Sequence, residues 1–205
     1  MRKKAILVAL VGFAVATVWA WRAGREFLAN ADEQARPLPG DELLTQPVES
    51  ITHAITIHRT ARDVWPWLAQ MGADRAGWYA YDSIDNGGRA SADRIRPELQ
   101  DIGVDTLFPA VPGAKDVFVV VRCEPPRDLV LAWRSHGGVC FTTWAFVLEE
   151  PEPGCTRLLV RGRAGTDYRP FGLPLWMSII LAPLAHGVMQ RKQLLGIVQR
   201  AEGRS

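Results

Sequence analysis

Two aspartates three residues apart, Asp82 and Asp85, are the clearest candidates for catalytic chemistry in this 205-residue chain. Residues at this spacing are neighbours on one face of a helix, and a carboxylate pair can act as acid and base if burial raises one pKa. Tyr79 and Tyr81 precede the pair and offer hydroxyl groups that could donate hydrogen bonds to a ligand carbonyl. The sequence favours the plainer interpretation, in which the acids flank a short helix in water and the tyrosines pack in a core.

These residues belong to an aromatic stretch that runs from Val64 to Asn86. Apolar residues recur at helical spacing as far as Gly72. Thr60 or Asp63 is the expected N-cap, and Asp63 is the better candidate because it places Pro66 in the first turn. Tryptophan and tyrosine carry a polar tip that needs a partner or water, so the aromatic side chains predict either core packing or a pocket wall. The set is Trp65, Trp67, Trp78, Tyr79 and Tyr81.

The sequence contains no pattern typical of a bound cofactor. It has no phosphate-binding glycine loop, no nucleophile elbow and no HExxH zinc helix. His53 and His58 fall on opposite faces of one predicted strand, so they cannot jointly bind a metal. The net charge is +2 and the basic residues are scattered, which leaves no basic stripe for nucleic acid. We therefore predict no cofactor, no metal site and no nucleic-acid partner.

The N-terminus has the pattern of a membrane segment. Basic residues at 2–4 precede an uncharged run from Ala5 to Trp21, which fits a single-pass anchor or a signal peptide. The anchor is favoured because a tryptophan beside Arg22 is typical of a membrane interface. The basic start predicts an extracytoplasmic domain, although Arg22 and Arg25 on the other flank oppose that orientation.

Three parts are predicted along the chain. Residues 1–25 form the anchor or signal peptide, and residues 48–205 form the folded domain. Residues 26–47 between them form a juxtamembrane helix and then a proline-containing linker, which we interpret as a plain tether.

The folded domain is predicted to be α+β. Alternating residues from Ile51 to Ile57 predict a half-buried strand. Four more strand candidates follow the aromatic stretch, with connections so short that the strands must form antiparallel hairpins. They are Val117–Cys123, Leu129–Arg134, Cys140–Glu149 and Thr156–Arg163.

Three arginines share one face of the last predicted strand. They are Arg157, Arg161 and Arg163. On the outer face of a sheet they would be solvated, and on the inner face they would bind an anion. After this strand, an uncharged run over 170–190 continues into an amphipathic segment. We interpret both as one long C-terminal helix, begun or bent at Pro183 and packed on the sheet; a second membrane segment and an interfacial helix are the alternatives.

This order of elements resembles the helix-grip fold of the START and polyketide-cyclase-like (SRPBCC) superfamily. VWPWLAQMG at 64–72 and GWYAYDSIDN at 77–86 are similar to a recurrent pattern of a bacterial, often membrane-anchored and uncharacterised branch, and RIRPELQ at 94–100 and TRLLVRGR at 156–163 extend the similarity. The resemblance implies a curled antiparallel sheet that grips the terminal helix around an apolar cavity. Relatives bind lipids, sterols and polyketides there, and some cyclise or hydrolyse them. It supplies no catalytic residues.

We therefore expect a membrane-anchored protein that binds a lipid or another hydrophobic small molecule. The first alternative is a cyclase- or hydrolase-type enzyme that uses Tyr81 with Asp82 or Asp85. The second is an interaction module whose cavity is filled by its own side chains. The ligand-binding residues expected are Trp65, Trp67, Trp78, Tyr79, Tyr81, Arg161, Trp176, Met177 and Ile180, with Asp82 and Asp85 as further polar groups.

Overall fold

The computed structural model describes residues 12, 15, 17–113, 117–134, 139–166 and 175–203, and only the backbone of 175, 176 and 178–181. The strands are β1 Glu49–Ile57, β2 Leu107–Pro109, β3 Val117–Glu124, β4 Asp128–Arg134, β5 Cys140–Glu152 and β6 Cys155–Ala164. The helices are α1 Ala31–Ala35, α2 Ala61–Ala69, α3 Asp82–Asp85 and α4 Leu175–Ala201, with 3-10 turns at Asp41–Leu43 and Pro97–Leu99. Residues 17–25 are also helical.

The strands form one six-stranded sheet in the order β1-β6-β5-β4-β3-β2, and each neighbouring pair is antiparallel. The strand predicted at 51–57 and the four hairpin strands are confirmed within a few residues. The sequence did not predict β2, which has only three residues and pairs with the start of β3. So short a strand leaves no readable alternation.

The inner face of the sheet carries the main core. Alternation in β6 turns Leu158 and Val160 inward, where they join residues of β1, β4 and β5. Helix α2 and the terminal helix α4 cover this face, and α4 contributes the fully buried Leu194 and Ile197. The predicted C-terminal helix is therefore confirmed, with Pro183 inside it.

The N-cap of α2 is the less favoured of the two predicted candidates. Thr60 occupies this position, its hydroxyl oxygen accepts from the Asp63 amide at 3.3 Å, and its hydroxyl group donates to the Asp63 carboxylate at 2.7 Å. The Glu150 carboxylate accepts from the amide of Ala61, so a second free N–H of the first turn is satisfied. These contacts place the N-cap three residues before Asp63, and the helix begins at Ala61, so Pro66 lies in its interior.

The segment predicted to be a tether is packed on the sheet. The backbone of 27–29 pairs with the free edge of β1, through hydrogen bonds from the Ala29 amide to the Thr52 carbonyl at 3.0 Å and from the Ala54 amide to the Phe27 carbonyl at 2.7 Å. Next, α1 begins at Asn30, which forms a capping box with Glu33. The interpretation of 26–47 as a plain tether is therefore wrong, because part of this segment is packed against the sheet. The domain boundaries stay predictions.

The outer face of the sheet has a second, smaller apolar cluster. Leu38 and Ala29 of the N-terminal segment bury Ala54, Val147 and Leu159 there. Sequence periodicity placed Leu159 on the arginine face of β6, but it gave no sign of what covers that face.

Within the described residues, no helix has both the length and the apolar character to cross a membrane. Residues 1–11, 13, 14 and 16 of the predicted anchor lie outside the described part of the chain. The anchor therefore stays a prediction.

Candidate functional site

A cavity of about 150 Å³ lies between the inner face of the sheet and α4. Two tryptophans and a phenylalanine, contributed by the aromatic stretch and two strands, form one wall, and the terminal helix forms the opposite wall. The lining residues are Trp78, Ala80, Asp85, Ala110, Phe118, Trp144, His186, Met189, Gln190 and Gln193.

The aromatic wall is a mutually packed group. The ring centroids of Trp78 and Trp144 are 5.3 Å apart, and Phe118 lies 6.0 Å from Trp78 and 5.8 Å from Trp144. Each indole N–H has a protein partner, because Trp78 donates to the Ala110 carbonyl and Trp144 donates to the Gln190 side chain, both at 3.0 Å. The rings are thereby fixed in orientation and present apolar surface to the cavity.

Asp85 brings a carboxylate to this apolar space. Its exposed fraction is 6%, and neither carboxylate oxygen has a hydrogen-bond partner among the described residues. Burial, with a smaller contribution from the neighbouring charge of Asp82, raises the pKa of Asp85 to about 6. Backbone groups of Tyr81 and of Asp85 itself offset part of this increase. A buried carboxyl group without a partner is uncommon, because its desolvation is costly.

The local chain conformation turns Asp85 inward and leaves Asp82 engaged elsewhere. Asp82 accepts hydrogen bonds from the amide of Ser91 at 3.1 Å and from its hydroxyl group at 2.5 Å. These bonds tie the start of α3 to the following loop. Helix α3 is a single turn, and the Gly88 amide closes back on the Asp82 carbonyl at 2.7 Å. Asp85, at the end of that turn, then faces the interior.

His186 of α4 forms part of the opposite wall. Its Nε2 atom is buried without a partner among the described residues, although one edge of the ring keeps some exposure. Burial, with a smaller contribution from the nearby His53, lowers the pKa of His186 to about 4. The two imidazole rings are 6.1 Å apart, and His53 contacts the Gly24 carbonyl at 2.9 Å through Nε2. His186 is therefore neutral at neutral pH.

A smaller pocket of about 70 Å³ lies on the other side of His186. Its polar groups include Glu49, whose pKa burial raises, and Arg163. At roughly 30 Å³ per water molecule, this pocket holds about two waters. We therefore take the larger, aromatic cavity as the candidate site.

The structure places two of the predicted site residues, Trp78 and Asp85, at this cavity. Trp65, Trp67 and Tyr79 are buried in the main core instead. The Tyr79 hydroxyl group donates to the Trp67 carbonyl at 3.1 Å and accepts from the Gln70 side chain at 2.9 Å. Burial raises its pKa, so it is not a proton donor for a ligand near neutral pH.

The other predicted residues lie away from the cavity or outside the described side chains. Tyr81 and Met177 are half-buried and, like Asp82, are not among its described lining residues. The side chains of Trp176 and Ile180 are not described. Arg161 is on the outer face and 4% exposed, so the solvated-surface interpretation is wrong for this residue.

The sequence-based prediction did not include the described cavity-lining residues of α4, nor the two aromatic residues that pack with Trp78. His186, Gln190 and Gln193 recur at the i, i+4, i+7 spacing of one helix face, and this polar stripe within an apolar helix was a readable signal. Phe118 and Trp144 lie in predicted strands, but their meeting with Trp78 depends on the sheet register.

The fold and the cavity together define the class of this protein. A curled six-stranded antiparallel sheet packed against a long C-terminal helix, with a cavity between them, fits an α+β domain of the helix-grip type. No protein-family model and no curated protein matches the sequence.

Several solved structures are similar in overall fold. Protein MLL2253 from Mesorhizobium loti shares 13% identity over 77% of this chain and 99% of that chain, with a TM-score of 0.47. The polyketide-cyclase-like protein Cgl2372 from Corynebacterium glutamicum shares 15% identity over 75% and 91%, with a TM-score of 0.47. An HSP90 activator from Plasmodium falciparum shares 9% identity over 71% and 94%, with a TM-score of 0.45. The fold class assigned here rests on this chain's own strand order and helix position.

Proposed function

We propose that this protein binds a small hydrophobic molecule in the aromatic cavity. The supporting observation is the cavity itself, whose rings are held by hydrogen bonds to protein groups and leave apolar faces toward an empty volume of about 150 Å³. An apolar cavity of about this volume accommodates a benzene-sized molecule. The ligand, or the part of it that enters, is therefore about one ring in size, and a whole lipid is too large.

The cavity volume also bears on the interaction-module alternative. At roughly 30 Å³ per water, 150 Å³ corresponds to about five water molecules. A close-packed interior leaves few voids larger than one water. The space is partly open to the surface, and its size favours ligand binding over a cavity filled by its own side chains.

Membrane anchoring is a separate part of the proposal. In the helical residues just before the domain, Val18, Trp19 and Trp21 are each more than half exposed, and Arg25 lies 4.9 Å from the Trp21 ring. Exposed tryptophans with adjacent arginines suit a membrane interface. An anchor there, as in the membrane-anchored branch that the sequence resembles, would keep the cavity near molecules dissolved in the bilayer.

Acid–base catalysis is the second candidate function, because one observation favours it. Asp85 is the carboxyl group with a raised pKa of about 6 that lines the cavity, and such groups are typical of general acids and bases. Of the two aspartates that the sequence offered as catalytic candidates, only Asp85 remains, because Asp82 is hydrogen-bonded to Ser91. A reaction at this site would lose turnover in Asp85→Asn at every pH.

Binding is tested with single-ring probes. Full-length protein is titrated with toluene, benzyl alcohol and benzylamine, followed by ligand-observed NMR and calorimetry. A Kd near 1 mM would correspond to about 0.5 kcal/mol per non-hydrogen atom for an eight-atom probe, well within the range for small ligands. We expect at least one probe to bind at this level.

A cavity-filling variant locates the binding. Ala80 lines the cavity, so Ala80→Leu should abolish probe binding, while Ala90→Leu at an exposed position should not change it. Thermal unfolding of both variants checks that the fold is intact. If no probe binds at up to about 10 mM, or if binding persists in Ala80→Leu, the cavity is not the site.

A further inference from the structure

The charges around the aromatic cavity are unbalanced. Of its described lining residues, Asp85 has the one side chain that is ionised at neutral pH, and no lysine or arginine is among them. His186 stays neutral there because its pKa is lowered to about 4. The cavity therefore has a net negative charge, and no positively charged side chain is among its described lining residues.

Most polar side chains of the cavity are bonded to other protein groups. Trp144 donates to the Gln190 Oε1 atom at 3.0 Å, Gln190 donates to the Gln193 Oε1 atom at 2.9 Å, and Gln193 contacts the Met71 sulfur at 3.8 Å. Trp78 donates to the Ala110 carbonyl. In contrast, both Asp85 oxygens are unused. A ligand that satisfies the Asp85 carboxylate must supply hydrogen-bond donors.

The aromatic wall of the cavity also favours a positively charged ligand. The faces of tryptophan and phenylalanine rings carry negative potential and attract cations, most strongly away from water. Trp78, Phe118 and Trp144 line the same cavity as the buried carboxylate of Asp85. An anionic ligand would meet both the aromatic rings and a carboxylate without a hydrogen-bond partner among the described residues.

We propose that the ligand of this cavity is a small organic cation, an ammonium group on an apolar body of about one ring, whose N–H groups donate to Asp85. The inference rests on the proposed function, because it names the ligand class of the same cavity. The apolar body packs on Trp78 and Trp144, and the ammonium group supplies a positive charge and hydrogen-bond donors to the Asp85 carboxylate.

The test compares two probes that differ in one group. Benzylamine is protonated at neutral pH, and benzyl alcohol is neutral with the same number of non-hydrogen atoms. We measure the Kd of each for the full-length protein at pH 7.5. Charge-assisted hydrogen bonds are roughly twice as strong as neutral ones, so benzylamine should bind at least about tenfold more tightly.

Asp85→Asn and Asp93→Asn then assign the preference to one carboxylate. Asp85→Asn keeps the size of the side chain and removes its charge, so the ratio of the two Kd values should fall to about one. Asp93 is exposed on the loop that follows α3, and Asp93→Asn should leave the ratio unchanged. Thermal unfolding confirms that each variant is folded.

The outcomes separate this inference from the proposed function. A tenfold amine preference that disappears only in Asp85→Asn supports the inference. If benzyl alcohol binds as tightly as benzylamine, or if Asp85→Asn keeps the preference, the cation inference is overturned and the binding function stands. If neither probe binds the wild-type protein, both are overturned.

Discussion

Asp85 is the residue whose environment most clearly departs from ordinary protein packing. Its carboxylate is buried and unpartnered, and its pKa is raised to about 6. An uncompensated buried charge destabilises the folded state. Without a bound cation, the charge of Asp85 therefore lowers the stability of the folded protein, and a bound cation would reduce this destabilisation. A group retained only for stability would be expected to have a partner, as Asp82 does in Ser91.

The first prediction is that Asp85→Asn stabilises the ligand-free protein. The charged form is disfavoured by burial, so we expect the free energy of unfolding at pH 7.5 to increase by about 1–3 kcal/mol. Denaturant unfolding measures this change. Asp93→Asn removes an exposed carboxylate and should change stability by less than about 0.5 kcal/mol.

The second prediction concerns how the stabilisation by Asp85→Asn depends on pH. The pKa of Asp85 rises from 3.8 in the unfolded chain to about 6 in the folded protein. Between these values the folded state binds more protons, so raising the pH destabilises it. The stability difference between Asp85→Asn and the wild type should therefore be small near pH 4, grow up to about pH 6 and stay constant above it. Unfolding measured across this range checks it, and a pH-independent difference would contradict the assigned pKa.

At the scale of elements, Arg161 joins strand β6 to the N-terminal segment. Its guanidinium group donates to the Asp41 carboxylate at 2.6 Å, to the Thr52 hydroxyl group at 2.8 Å and to three backbone carbonyls of the segment. Those carbonyls belong to Glu33, Gln34 and Arg36. The arrangement satisfies the arginine completely, so the anion-binding interpretation has no support in the structure.

The third prediction is that Arg161→Met releases this segment. Loss of the guanidinium group leaves three backbone carbonyls of the segment without this donor, and the Asp41 carboxylate keeps only Arg163 and the Leu38 amide as partners. Breaking a buried pair costs about 3–5 kcal/mol. Denaturant unfolding should show that loss, and limited proteolysis should cut within 30–47 faster than in the wild type. The matched control is Arg36→Met, whose pair with Glu149 is about 40% exposed on both sides and should cost less than about 1 kcal/mol. Equal effects of the two variants would contradict a bracing role for Arg161.

The fourth prediction tests how α4 meets the aromatic stretch. A methyl group at Gly196 would overlap the carbonyl oxygen of Tyr79, and Tyr79 already has a φ of 62°. Gly196→Ala gains about 1 kcal/mol of helix propensity, but overpacking against backbone costs about 1–3 kcal/mol or more. We expect net destabilisation in thermal unfolding, while Gln199→Ala at an exposed position of the same helix should be nearly neutral. A stabilised Gly196→Ala would show that the contact is loose.

Local patterns predicted the elements well, and long-range contacts explain what they missed. Hairpin strands follow from alternation and short turns, and the terminal helix follows from its amphipathic end. The burial of Arg161 depends on acceptors about 120 residues earlier in the chain, which no local pattern contains. Trp78 and Asp85 were candidates because of their residue types alone. Trp144 and His186 could not be identified in this way, because their place at the cavity depends on how α4 packs against the sheet.

At the scale of the whole molecule, the N-terminal segment completes the domain. Residues 27–29 cover the edge of β1, Leu38 covers the outer face, and Glu26 pairs with Arg191 of α4 at 2.5 Å. Gly24 and Gly187 are in close backbone contact beside the His53–His186 pair. The chain just after the proposed anchor therefore touches both the sheet and the helix that walls the cavity.

The last prediction follows from this packing. A variant that lacks residues 1–21 keeps the contacts of Gly24, Glu26 and the edge pairing at 27–29, so its melting temperature should stay within a few degrees of the full-length value. A variant that lacks residues 1–36 loses that pairing, removes three acceptors of Arg161 and uncovers an unpaired strand edge. It should unfold at a much lower temperature or aggregate, because open edges favour association. Circular dichroism and size-exclusion chromatography compare the two variants. Equal stability would mean that residues 22–36 are a tether after all, and the difference we expect would make them part of the domain whose cavity α4 encloses.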